Sequence, residues 1–171
     1  MYIRATQPKP MQSKSSNLFI TILWVGFLVG LFDLTSALIQ MKIMFPGNPF
    51  RVLRYIASAV FGKERANAEE SIYFFGVLFH FIIAYCFTIA FFLIYPHFQF
   101  LSKNRLLTGI LYGFIIWAVM NLLVVPQTKI GHRPFVVKNA AIAAGILIIA
   151  IGVPLSYFAY RFYYGRNALN K

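Results

Sequence analysis

The chain has 171 residues, of which 60% are hydrophobic and only 12% charged, where a soluble domain averages about 25% charged. Its mean hydropathy is +0.70. The formal net charge of +12 comes from residues that flank apolar runs and form no dense or aromatic-interleaved block, which argues against nucleic-acid binding and for anchoring to anionic headgroups.

The first 17 residues, MYIRATQPKPMQSKSSN, are polar and hold two prolines; they read as a flexible tail. A first apolar window covers 18–40, long enough to cross a bilayer core, which needs about 20 helical residues. Residues 1–37 also show the outline of a cleavable signal: a basic start, an apolar stretch and a small-residue TSA ending at Ala37. The apolar run is longer than a signal core and Asp33 interrupts it, so this window is expected to stay as a helix.

The only long connection follows. Asn48 and Pro49 form a helix start, an Asn cap with proline at the first helical position, and Gly62 supplies a stop. The helix expected over 49–61 is too short to span. Arg51, Arg54, Tyr55 and Ser58 make one polar stripe; Phe50, Leu53, Ala57, Val60 and Phe61 make an apolar one beside it. Such a helix lies along the membrane surface or dips partly into the protein.

Three more apolar windows complete the chain at 71–95, 106–125 and 139–160, before a tail over 161–171 with an aromatic and basic edge. Pro126 is expected to end the third span and Pro154 to kink the fourth. The fold class is therefore all-α: a single integral membrane four-helix bundle over 18–160, with one short amphipathic helix in its first loop. Both termini share a side. Basic residues are equally many on the two sides, eight and eight, so the charge rule gives no orientation unless Arg51 and Arg54 serve a site. In that case the termini lie in the cytoplasm.

Three spans each hold one strongly polar residue: Asp33, His80 and Asn121. Measured from the span centres at 1.5 Å per residue, they lie roughly 6, 4.5 and 7.5 Å off the midplane. Alternating helix direction puts all three in the same half of the bilayer. Gly26, Gly30, Asp33 and Ala37 share a stripe, as do Gly76, His80, Ala84 and Thr88; small residues mark helix contacts in lipid, so Asp33 and His80 should point into the bundle. Asn121 fits less well, about 80° around from Gly113 on an ideal helix.

That half borders the loops carrying Arg51, Arg54, Tyr55, Lys129, His132 and Arg133, expected as the rim of a polar vestibule with Asp33 and His80 at its floor. Two readings of the pair stand. It exchanges a proton, with protonated His80 or a nearby arginine compensating the carboxylate, or it hydrogen-bonds and fixes helix packing. Cys86 is the only cysteine and forms no internal disulfide. Enzyme signatures are missing, the histidines are scattered and only one acid lies in a span. No enzyme, metal site or cofactor is expected.

Two spans, GVLFHFIIAYCFTIAFFLIYP and LLTGILYGFIIWAVMNLLVVP, carry Gly76, His80, Pro96, Gly109, Gly113 and Pro126. With Pro46 and Pro49 in the preceding loop, this layout resembles the YagU-like family of small bacterial inner-membrane proteins, most clearly over 45–126. The resemblance implies location and topology and lends no mechanism. Asp33 lies outside its clearest part. Two functions follow from the residues: small-solute or proton-linked permeation, which requires an assembly of copies because four helices leave little room for a pore, or a structural or accessory protein whose loops bind a partner or membrane lipid.

Overall fold

In the computed structural model, residues 15–131, 134 and 136–165 are described. They are helical throughout apart from turns, with no strand among them. Four helices are long and apolar enough to cross a membrane: α1 (Ser15–Met44), α4 (Ile72–Ile94), α6 (Arg105–Gln127) and α7 (Val137–Tyr164). Between the first two lie α2 (Arg51–Phe61) and α3 (Lys63–Ala68), and a single turn, α5 (Phe100–Lys103), precedes α6. The chain is a multi-pass, four-span membrane protein. Large apolar side chains such as Phe19, Trp24, Phe74 and Ile149 stand outward, the arrangement a lipid solvent permits. In that solvent each span must satisfy its own backbone, which selects helix.

Local signals set several boundaries. The Asn48 side chain accepts from the Phe50 N–H at 2.9 Å, and a tight turn with Arg51 N–H on the Asn48 carbonyl leads into α2. The cap sits where the sequence places it, while regular helix begins at Arg51. Gly62 closes α2 with φ +86° and ψ 163°, a conformation essentially confined to glycine. The Asn104 side chain caps α6 by accepting from Leu107 N–H at 3.0 Å. The helix α3 carries no sequence signal beyond Gly62 itself.

Both prolines are met by widened helical turns. Val119–Val124 in α6 and Ile148–Gly152 in α7 are π-type segments, each ending one residue before a Val-Pro pair. There Val125 N–H bonds the Met120 carbonyl and Val153 N–H the Ile148 carbonyl, five residues back. Proline lacks an N–H and its ring crowds the carbonyl four residues before, and the wider turn accommodates both. Pro126 lies one residue from the end of α6, whereas α7 continues well past Pro154.

The spans pack as two pairs. Gly26 and Gly30 of α1 face Tyr85, Phe81 and Ala84 of α4. Gly109 and Gly113 of α6 lie against the backbone of Gly152, Val153 and Ile148 in α7; a Cβ built on Gly113 would come within 2.5 Å of Ile148 Cα. Small residues give van der Waals contact where lipid offers no hydrophobic drive for helix association. The pairs join in a core containing Val29, Phe92, Tyr95, Ile116, Ile151 and Leu155.

Hydroxyls tie these helices together. Tyr85 donates to the Leu23 carbonyl at 3.0 Å, Tyr112 to Phe87 at 2.7 Å, Tyr163 to Phe92 at 2.7 Å and Ser156 to Arg105 at 2.7 Å. Each uses a second lone pair on a helical carbonyl.

A second, smaller core forms at the other end. There α2 crosses the start of α4, burying Leu53 and Ala57, because Gly76 leaves room for the Leu53 backbone. Ala66 of α3 and Ile72 complete it, with Phe61 and Phe75 packed alongside at 5.2 Å between ring centroids.

Candidate functional site

Asp33 and His80 approach each other across α1 and α4. His80 is buried, and its Nε2 lies 2.9 Å from the Gly30 carbonyl oxygen. A carbonyl only accepts, so Nε2 carries the proton and donates. Asp33 Oδ2 lies 4.0 Å from the same nitrogen, with side-chain exposure of 18% for Asp33 and 9% for His80. The carboxylate is thus within electrostatic reach and beyond hydrogen-bond length. Both residues of the pair sit where Gly30 lets the helices approach, with Ala84 one turn along.

Asn121 stands apart. It lies in the π segment of α6, where no residue is buried, and its amide donates to the Trp117 carbonyl of its own helix at 2.9 Å. The residue is exposed. Its side chain serves the local backbone.

The residues expected at the rim divide. Arg51, Arg54 and Tyr55 line a cleft of about 300 Å³ formed between α2 and α3, together with Ser58, Lys63, Ala66, Asn67 and Ile130. Neither Asp33 nor His80 is among the residues lining it. Lys129 meets α2 through its backbone, donating to the Ala59 carbonyl at 3.0 Å, and this contact brings Ile130 to the cleft wall. His132 and Arg133 lie outside the described residues. The expected single vestibule is therefore two features: an intramembrane Asp33–His80 pair and a separate basic cleft at the loop end.

Within the cleft, the polar stripe of α2 meets one face of α3, presented by Lys63, Ala66 and Asn67. Gly62 makes this possible by turning the chain sharply between the two helices. The Arg54 guanidinium rests over the Tyr73 ring of α4, 4.8 Å from its centroid. Its Nε is buried and has no hydrogen-bond partner among the described residues. Lys63 and Asn67 escaped sequence reasoning because α3 is too short to show a periodic pattern. Their spacing of four residues after a glycine stop was the available signal.

None of the known protein families, curated proteins or solved structures compared with the chain matches it.

Proposed function

We propose that this is a non-enzymatic structural or accessory protein of the bacterial inner membrane. Its spans form a frame held by polar contacts, and its α2–α3 layer is the working surface, open to lipid or a partner. The observation that carries this reading is the His80 contact: an imidazole whose Nε2–H is committed to the Gly30 carbonyl acts as a tie between α1 and α4. The inner-membrane location is supported by the resemblance to YagU-like proteins. Orientation follows from the same assignment. Once Arg51 and Arg54 belong to a site, the remaining basic residues favour cytoplasmic termini and place α2 on the opposite face.

The test is photo-crosslinking from position 51 in intact membranes, alongside Asp33→Ala. A stoichiometric protein or lipid adduct is expected from position 51. Asp33→Ala should lower thermal stability and leave that adduct intact. Absence of any adduct overturns the reading.

A second reading is favoured by the 4.0 Å Asp33–His80 approach and the residual exposure of Asp33: proton-linked permeation by an assembly of copies. Reconstituted vesicles decide it. Flux no higher than in empty vesicles removes it, and flux lost in Asp33→Asn supports it.

A further inference from the structure

Arg51, Arg54 and Lys63 bring three cationic side chains to one cleft, and among the described residues no carboxylate lines it. The nearby acids are otherwise placed. Glu69 pairs with Arg65 at 3.1 Å and accepts from the Ser71 hydroxyl, while Glu64 and Glu70 are absent from the cleft lining. A cluster of like charge without its counter-charge is unfavourable in a partly enclosed space.

Arg54 sharpens the point. The residue is half-buried, and its Nε is a buried donor without an acceptor among the described residues, which carries a desolvation penalty, while the side chain also lines the cleft. The Tyr73 ring holds the guanidinium in place, so the donor is ordered before any ligand arrives. Around it, Arg51 and Lys63 are exposed and reachable, and Asn67 adds a polar side chain that can both donate and accept. A volume of about 300 Å³ at the mouth admits a phosphate group with part of what it esterifies. The same helix α2 also carries exposed Phe50 and Val60, apolar side chains of the kind that an amphipathic helix turns toward lipid.

We propose that the α2–α3 cleft binds a phosphate ester through Arg51, Arg54 and Lys63. The group comes from an anionic lipid headgroup or from a soluble phosphate compound, and its charge geometry is the same in both cases. The assignment rests on reading the α2–α3 layer as the working surface and supplies that surface with its ligand class.

The experiment uses the full-length protein in nanodiscs. In the first arm, discs of mixed phosphatidylcholine and phosphatidylglycerol are ejected into a native mass spectrometer and the retained lipid is identified. In the second, inorganic phosphate is titrated into pure phosphatidylcholine discs while the melting midpoint is followed. Both arms compare wild type with Arg51→Gln/Lys63→Gln, which alters exposed side chains only, and with Arg65→Gln, a cation of α3 outside the cleft.

Selective retention of phosphatidylglycerol, reduced about fivefold per cleft cation removed and unchanged in Arg65→Gln, supports the lipid source. A midpoint raised by inorganic phosphate in wild type and not in the double variant supports the soluble source. No preference in either arm, or an equal loss in Arg65→Gln, overturns the proposal. The ligand-free midpoint of the double variant should equal that of wild type, so failure of the cleft leaves the frame reading standing. A His80→Ala variant that melts like wild type has the converse meaning.

Discussion

His80 Nε2 and the Gly30 carbonyl oxygen lie 2.9 Å apart, joining two spans fifty residues distant in sequence. The bond uses a carbonyl that also belongs to the helical ladder of α1, and the absence of a side chain on Gly30 leaves it reachable. Replacing His80 by Ala should lower stability by about 0.6 kcal/mol, the average for an interhelical hydrogen bond in a bilayer, and by no more than about 1.7 kcal/mol. Reversible unfolding in mixed micelles measures it. An unchanged unfolding free energy would show the contact to be incidental.

Asn121 provides the contrast. Among the described residues its amide bonds the Trp117 carbonyl one turn away and no second helix. Asn121→Ala should therefore change unfolding by less than about 0.5 kcal/mol, the lower end for a single hydrogen bond. A double variant with His80→Ala should be additive, because the two side chains share no partner. Strong coupling in that cycle would place Asn121 with the Asp33–His80 pair after all.

The glycines divide by neighbour. At Gly113 an added Cβ meets the Ile148 backbone, whereas at Gly145 nothing lies within 4 Å. Gly113→Ala should cost about 1–3 kcal/mol through overpacking of the α6–α7 crossing. Gly145→Ala should be neutral or stabilising by up to about 1 kcal/mol, the helix-propensity difference. Melting of the two variants in one detergent checks the pair, and equal effects would contradict the packing described.

Gly62 holds a backbone conformation that other residues avoid, with φ +86°. Gly62→Ala should cost about 1–3 kcal/mol of strain or release it by opening the angle between α2 and α3. Either way the cleft changes shape. Limited proteolysis across 61–69 should accelerate in this variant, while cleavage elsewhere should not.

Much of this architecture was legible without coordinates. Four predominantly apolar stretches had no stable alternative in lipid to helices that bond their own backbones. Asn48 and Gly62 marked the ends of the loop helix through capping and left-handed geometry, both properties of single residues and their immediate neighbours. Asp33 and His80 were directed inward by the small residues on their own faces, and the helices do bring them to 4.0 Å. That inference needed only helical periodicity and alternating direction.

What required the tertiary structure were the relations that periodicity does not encode. The proton of His80 goes to a main-chain carbonyl of another helix, which depends on how closely two backbones approach. Asn121 lies in a π segment before Pro126, where the turn widens and its amide bonds its own helix, a local geometry that counting at about 100° per residue does not describe. The basic rim separated from the intramembrane pair because Gly76 lets the Leu53 backbone approach α4 closely, and the cleft that Arg51 and Arg54 line forms with α3, away from Asp33 and His80. Local chemistry and the solvent determine which segments are helical and which faces are greasy; contacts between segments distant in the chain decide which polar groups meet.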